Sequence, residues 1–204
     1  MSVSHLIYPH LFSCSCIGRL MTYKIIILFR IYHIVFNCIA QLFIGLPLEL
    51  VHKYWRIGLV YLLGALMGSL AVSVTDPNVL LAGASGGVYA LIAAHAANLV
   101  VNWDEMEFAI LRLVALVIFV GIDFGLSVYS RYGNPEDANG NRTSYVAHIG
   151  GFVAGLLMGI VILRNFSKKS WERVVWWIAL VGYIILVLFC IFWNIFYPYY
   201  PRNC

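Results

Sequence analysis

The sequence contains little charge: 11% of its 204 residues are Asp, Glu, Lys or Arg, whereas 62% are hydrophobic. A soluble domain of this length needs a charged surface, and this chain does not have one. The basic residues stand at the ends of apolar runs and form no stripe among exposed aromatic residues, which argues against nucleic-acid binding. These absences indicate a polytopic membrane protein whose surroundings are the lipid bilayer.

Metal-binding patterns are also missing. The cysteines are odd in number and have no metal-ligand spacing: Cys14, Cys16, Cys38, Cys190 and Cys204. There is no His-Glu-x-x-His sequence for a zinc site, and Gly121-Ile122-Asp123 is not the Gly-x-Gly-Asp of aspartyl intramembrane proteases. The sequence shows neither charges paired along a pore nor the repeated halves of a transporter. These patterns offer no metal site.

Long apolar runs dominate what is present. A membrane-spanning helix needs about 20 mostly apolar residues. By this rule the chain has six spans, at roughly 32–51, 55–75, 84–102, 108–129, 144–164 and 174–197. The sequence therefore predicts an all-α fold, a bundle of transmembrane helices.

The distribution of basic residues predicts the orientation of these spans. His52, Lys53 and Arg56 lie between the first two spans, and a second basic cluster lies between the last two. Because cytosolic loops are enriched in Lys and Arg, both loops are expected on the cytosolic side. Ser85 and His148 then stand at the outward-facing ends of their spans, and the polar loop 131–142 lies outside.

Glycines surround a serine at the start of the third span, in Gly83-Ala84-Ser85-Gly86-Gly87. A serine alone is common in membrane helices, where it bonds to backbone and packs among small residues. Here the glycines allow close backbone approach at a helix N-terminus, whose amide groups have no partner in the helix and can hold an oxyanion. Tyr89 follows one turn later on the same face, where its ring can pack beside an imidazole.

An ionisable histidine inside a membrane span is costly and points to function. His148 begins such a span and is followed by Gly151, Gly155 and Gly159, a repeat that lets two helices approach closely. The third span offers a matching face of small residues: Gly86, Ala90, Ala93 and Ala97. Packing of these faces would bring Ser85 within hydrogen-bond reach of His148. An apolar setting disfavours a charged imidazole, so His148 would start neutral and accept the serine proton.

The first span contributes His33 and Asn37, one turn apart on one helical face. Both side chains can donate hydrogen bonds to an oxyanion. The alternative role for Asn37 is a hydrogen bond that bridges two helices.

In this order, His33-xxx-Asn37, Gly83-Ala-Ser85-Gly86 with Tyr89, and Ala147-His148-xx-Gly151 resemble the rhomboid family of intramembrane serine proteases. The extra span after the histidine helix is similar to the animal rhomboid-related branch. The resemblance implies Ser85 as nucleophile, His148 as general base and acid, and His33, Asn37 and the Ser85 amide as oxyanion hole. It also implies single-pass transmembrane substrates, cleaved near the outer membrane face without a metal or cofactor. The expected location is the secretory pathway or plasma membrane.

The resemblance divides the chain into a divergent N-terminal segment (1–31), a rhomboid-like catalytic core (32–164), and an additional C-terminal helix with its tail (165–204). The family's first core helix is not recognisable in the N-terminal segment, which is therefore interpreted as divergent or truncated. This difference keeps a second hypothesis open, a non-cleaving rhomboid-like protein that binds membrane clients for trafficking or quality control. Asp123, the remaining acid within a span, is interpreted as a structural partner or a cavity-lining residue rather than a third catalytic residue.

Overall fold

Within the part of the chain that the structure describes, six helices are long and apolar enough to cross a membrane. The computed structural model describes residues 31–75, 84–132, 145–163 and 171–197. The helices are α1 (Ile31–His52), α2 (Tyr54–Thr75), α3 (Ala84–Val101), α4 (Ala109–Tyr132), α5 (Tyr145–Ile162) and α6 (Glu172–Phe196). The described ranges contain no strand, and the predicted all-α bundle of six spans is confirmed. The largest difference in bounds is at the end of α4, predicted at residue 129 and observed at Tyr132.

Short connections and one irregular turn modify this pattern. Residues Gln41–Gly45 of α1 are wound as a π-helix, and only Lys53, at φ 74°, separates α1 from α2. A short 3-10 turn, Trp103–Glu105, precedes α4. The boundary between two compact units falls after Ile39, so residues 31–39 belong to the first unit and α2 to α6 to the second.

Helix α3 is the centre of the second unit. In the 18-residue apolar stretch of α3, 72% of the residues are buried, compared with 17% in the corresponding stretches of α4 and of α6. The outer helices instead expose large apolar side chains, such as Leu111, Ile118 and Ile185. In a membrane protein this exposed apolar surface faces lipid.

Glycines of α5 let its backbone touch that of α3. A Cβ atom added to Gly151 would overlap the backbone of Gly86, and one added to Gly155 would overlap the backbone of Ala90. A Cβ atom on Gly159 would lie 2.8 Å from the Cα atom of Ala94. Sequence analysis grouped Ala93 and Ala97 with this face. The contact nearest Gly159 is with Ala94 instead, which continues the four-residue repeat of Gly86 and Ala90.

Helix α2 approaches α3 from another side in the same way. A Cβ atom on Gly64 would overlap the Cβ atom of Ala90, and a Cβ atom on Gly68 would lie 3.2 Å from the Cα atom of Gly86. Gly68 also lies close to α5, because the same added atom would be 2.8 Å from the carbonyl oxygen of Ala147. Three helices therefore meet at Gly86.

Hydrogen bonds attach α6 to α5 and α2 at three positions along its length. The indole Nε1 of Trp176 donates to the carbonyl oxygen of Val161 at 3.1 Å, and the Tyr183 hydroxyl donates to that of Leu63 at 3.1 Å. Nearer the other end, the side-chain amide of Asn194 donates to Ser73 Oγ at 2.9 Å. Hydrogen bonds between membrane helices each contribute about 0.6 kcal/mol on average, so their combined effect holds the C-terminal helix in register.

The glycine contacts yield a stability prediction. We expect Gly155→Ala to destabilise the bundle by about 1–3 kcal/mol, because the new methyl group meets backbone atoms that cannot move aside cheaply. The measurement is unfolding of the purified protein in mixed micelles as the denaturing detergent fraction rises.

The matched control is Gly182→Ala on α6, where an added Cβ atom meets nothing within 4 Å. Alanine has the higher helix propensity, so this variant should be neutral or more stable by up to about 1 kcal/mol. Equal effects of the two substitutions would contradict backbone contact between α3 and α5.

Candidate functional site

Ser85 is the second residue of α3 and is buried, with 4% of its surface exposed. Its position places it among the first N–H groups of the helix, which have no carbonyl partner within the helix. A Cβ atom on the next residue, Gly86, would lie 3.1 Å from the carbonyl oxygen of Gly64, and one on Gly87 would lie 2.6 Å from the ring of Tyr61. The glycines beside the serine therefore allow close packing against α2. Gly83, which sequence analysis included in this motif, lies outside the described residues.

His148 is the fourth residue of α5 and is fully buried. It precedes Gly151 by three residues, so both lie on the face of α5 that packs on α3. Gly151 lies against Gly86, the neighbour of Ser85. Ser85 and His148 therefore stand at the same end of one helix pair. A hydrogen bond between their side chains stays a prediction.

The ring of Tyr89 stacks on the imidazole of His148. The ring centroids are 4.2 Å apart and the planes differ by 8°, and the two side chains are 2% and 0% exposed. Because Tyr89 follows Ser85 by four residues, the stack lies one helical turn below the serine. One face of the imidazole is thus covered by an aromatic ring.

Two polar side chains of α4 join this group. The Tyr89 hydroxyl donates a hydrogen bond to Asp123 Oδ2 at 2.8 Å. Ser127 Oγ lies 3.5 Å from Nδ1 of His148, at the long end of the hydrogen-bond range. Both Asp123 and Ser127 are 2% exposed.

Sequence analysis left pairing and cavity lining open as structural roles for Asp123, and in the structure it accepts a hydrogen bond from Tyr89. Sequence analysis missed Ser127. The available signal was its spacing from Asp123: two polar residues four apart lie on one helical face, and their helix is otherwise largely apolar.

His33 and Asn37 lie one turn apart in the helical segment 31–39, which belongs to the first compact unit. Asn37 is buried, with 9% of its surface exposed. Their role as oxyanion donors stays a prediction. In the described part of the chain, no three His, Cys, Asp or Glu side chains converge on a point that could hold a metal ion.

The fold and this site define a polytopic helical membrane protein with a buried serine and histidine at one end of a helix pair. The family model of the rhomboid domain matches residues 17–165. The chain belongs to the rhomboid family. This match begins inside the segment 1–31 that sequence analysis set apart, and the predicted domain boundaries stay predictions.

Several relatives are animal rhomboid-related proteins. The chain is 44% identical over 168 residues to Rhomboid-related protein 3 of Homo sapiens, covering 81% of this chain and 42% of the relative. It is 45% identical over 168 residues to Rhomboid-related protein 2 of Mus musculus, covering 81% and 55% respectively. The chain thus spans about half the length of the curated relatives it matches.

One further relative carries a different description. The chain is 39% identical over 173 residues to Inactive rhomboid-related protein 2 of Caenorhabditis elegans, covering 85% of this chain and 48% of the relative. Similarity within this family therefore extends to a protein described as inactive, and family membership alone does not establish catalysis.

The proximity of Ser85 and His148 can be tested by cross-linking. In a background without the native cysteines, we expect the pair Ser85→Cys and His148→Cys to form a disulfide on mild oxidation, because their helices touch at Gly86 and Gly151. The protein is then denatured in dodecyl sulfate, and protection of both thiols from a maleimide-polyethylene glycol reagent measures the bond by gel shift.

The matched control moves one cysteine to Ile149, which neighbours His148 but is 46% exposed. Ser85→Cys with Ile149→Cys should remain fully reactive. A disulfide in the control pair but not in the test pair would contradict the proximity of Ser85 and His148.

Proposed function

We propose that this protein is an intramembrane serine endopeptidase that cleaves transmembrane-helix substrates near the outer face of the membrane. Its nucleophile is Ser85, and His148 is the general base and acid. The observation that carries the proposal is the stacked pair Tyr89 and His148, which lies one turn from Ser85 at the interface of α3 and α5. Membership of the rhomboid family supports the same function.

The proposed reaction begins with a neutral His148. As Ser85 Oγ attacks the carbonyl carbon of the substrate peptide, the imidazole takes the hydroxyl proton. The resulting tetrahedral oxyanion accepts hydrogen bonds from the Ser85 backbone amide and from the side chains of His33 and Asn37. These donors act where the negative charge develops, so they lower the energy of the transition state rather than that of the bound substrate.

Collapse of the intermediate releases the first product. The protonated His148 gives its proton to the leaving amine, the C–N bond breaks, and the acyl group remains on Ser85 Oγ. A water molecule then loses a proton to His148 and attacks the acyl carbon. The bond from this carbon to Ser85 Oγ breaks, His148 returns the proton to Oγ, and the new carboxyl terminus leaves. The outward-facing position predicted for Ser85 suits this step, because the water must come from the aqueous side.

Burial explains why this chemistry is possible inside a membrane. Water is scarce around a serine with 4% exposure and a histidine with none, so hydrogen bonds to the oxyanion are stronger than in bulk water. Among the described residues, the polar side chains around Tyr89 lie in largely apolar surroundings. A substrate helix must therefore unwind locally at this point before its carbonyl carbon can reach Ser85.

Cleavage of a membrane reporter tests the proposal. The full chain is co-expressed with a single-pass protein that carries helix-destabilising residues near its outer membrane boundary. We expect Ser85→Ala and His148→Ala each to lower the rate of cleavage by about 10³-fold or more, because nucleophile and base act as a unit. The measurement is the appearance of the released fragment, normalised to the amount of protease in the membrane.

Ser69→Ala is the matched serine control. Its hydroxyl donates to the carbonyl oxygen of Ala65 within α2 and is exposed, so its removal should leave cleavage unchanged. Cleavage that persists in Ser85→Ala would refute the assignment of the nucleophile.

The oxyanion donors require a separate measurement. We expect Asn37→Ala to lower kcat by about 10²–10³-fold with a smaller change in KM, because the carboxamide is proposed to bind charge only in the transition state. The steady-state kinetics are measured on purified protein in detergent with the same reporter.

The control for this substitution is Asn194→Ala, which removes a carboxamide that donates to Ser73 Oγ on α2. It should reduce stability slightly and leave kcat unchanged. If the two variants have equal kcat values, Asn37 is a helix-bridging residue and not an oxyanion donor.

The second candidate function is that of a non-cleaving rhomboid-like protein that binds membrane clients. The similarity to Inactive rhomboid-related protein 2 favours it. In the reporter experiment this function predicts no cleavage by the unaltered chain or by Ser85→Ala. It also predicts that both forms retain the intact reporter equally in co-purification after chemical cross-linking.

A further inference from the structure

Helix α4 places a buried carboxyl group and a buried hydroxyl group one turn apart. Asp123 and Ser127 are each 2% exposed, although only 17% of the residues in the 18-residue apolar stretch of this helix are buried. A polar group in such surroundings is costly unless it is hydrogen-bonded, and an ionisable group within a span is a candidate for function. Both side chains are directed at the same pair of rings.

Asp123 reaches the histidine through the tyrosine. The Tyr89 hydroxyl donates to Asp123 Oδ2 at 2.8 Å, a distance typical of a strong O–H···O hydrogen bond. This contact fixes the far end of a ring whose face is stacked on His148 at 4.2 Å. Since a stacked ring limits rotation of the imidazole, the carboxyl group of Asp123 restrains His148 without touching it.

Ser127 lies beside the ring nitrogen Nδ1 of His148. Its Oγ lies 3.5 Å from Nδ1 of His148. For Nε2 to accept the Ser85 proton, Nδ1 must carry the hydrogen of the neutral imidazole. A hydroxyl at Nδ1 accepts that hydrogen and favours the required tautomer. Catalytic contacts of this length commonly shorten when substrate binds.

We propose that Asp123 and Ser127 are positioning residues for His148: Ser127 holds the hydrogen on Nδ1, and Asp123 fixes the imidazole plane through Tyr89. The proposal rests on the proposed function for the role of His148 as base. In serine proteases with a triad, one carboxylate at Nδ1 performs both tasks. In this protein the two tasks are divided between two side chains of α4, so α4 sets the orientation of a base that α5 carries.

A double-mutant cycle tests the part of Asp123. We expect Asp123→Leu and Tyr89→Phe each to lower kcat by roughly 10–100-fold, the usual effect of losing an orienting partner, with KM little changed. Because both variants break the same hydrogen bond, the double variant should be no slower than the slower single variant. Asp123→Asn keeps an acceptor oxygen and should lose less than Asp123→Leu. If the reductions in kcat of the two single variants multiply in the double variant, the proposed action of Asp123 through Tyr89 is overturned.

The part of Ser127 is tested by a signal that does not depend on catalysis. Full-length Ser85→Ala protein is labelled with ¹⁵N-histidine, and the His148 resonances are assigned by their loss in the further variant His148→Gln. We expect the Nδ1–H tautomer in Ser85→Ala, and a shift of population toward Nε2–H on adding Ser127→Ala. Ser127→Thr, which retains the hydroxyl, should restore the Nδ1–H signal. An Nε2–H tautomer at the start, or no change with Ser127→Ala, would overturn the proposal.

The two measurements separate failure of this inference from failure of the proposed function. If the unaltered chain does not cleave the reporter, the proposed function fails, and the tautomer of His148 still decides whether Ser127 positions it. If the chain cleaves and the tautomer is insensitive to Ser127, the proposed function stands and the positioning role is refuted. Unfolding in mixed micelles, measured for each variant, identifies any substitution that acts by disrupting the bundle.

Discussion

Backbone contact at glycine is the constraint on which the rest of the structure depends. Gly86 of α3 is approached by Gly64 and Gly68 of α2 and by Gly151 of α5, and a Cβ atom added to Gly151 would overlap the Gly86 backbone. Apolar side chains gain nothing by leaving lipid for another helix, so van der Waals packing between close backbones, together with interhelical hydrogen bonds, holds membrane helices together. A methyl group on Gly151 would separate α5 from α3 and remove that contact.

The same constraint determines where chemistry is possible. Ser85 precedes Gly86 directly, and His148 lies one turn before Gly151, so both side chains belong to the closest part of the bundle. Glycine contacts fix the distance between helices but not the orientation of a ring. Orientation comes from polar contacts with α4, in which Asp123 bonds to Tyr89 and Ser127 lies beside His148. Packing and hydrogen bonding thus perform different tasks at one site.

Much of this arrangement was predictable from the sequence, and there is a physical reason why the remainder was not. Hydropathy predicted six spans, because each helix must satisfy its backbone internally and present an apolar surface to lipid. The repeat of Gly151, Gly155 and Gly159 predicted a close helix contact. Periodicity shows which face of a helix is small or polar, but it does not show which helix lies opposite. The approach of Gly64 and Gly68, and the contact of Ser127 with Nδ1, therefore required coordinates. The π-helical turn Gln41–Gly45 has no residue pattern that would predict it.

The residues that determine the fold and the residues that carry the chemistry form separate sets. The glycines of α2, α3 and α5 determine helix spacing, and a change of Ser85 or His148 would leave those backbone contacts intact. A family built on this packing can therefore retain its fold after losing its nucleophile or base, which is consistent with a relative described as inactive at 39% identity. Sequence identity over the whole chain therefore reports on the packing of the bundle and not on whether the reaction takes place. The proposed proton transfer depends on Ser85, His148 and the side chains that orient the imidazole, and not on the glycine contacts. The contacts of Tyr89 with His148 and Asp123 support that proposal, because glycine packing does not itself require a buried carboxyl group hydrogen-bonded to that ring.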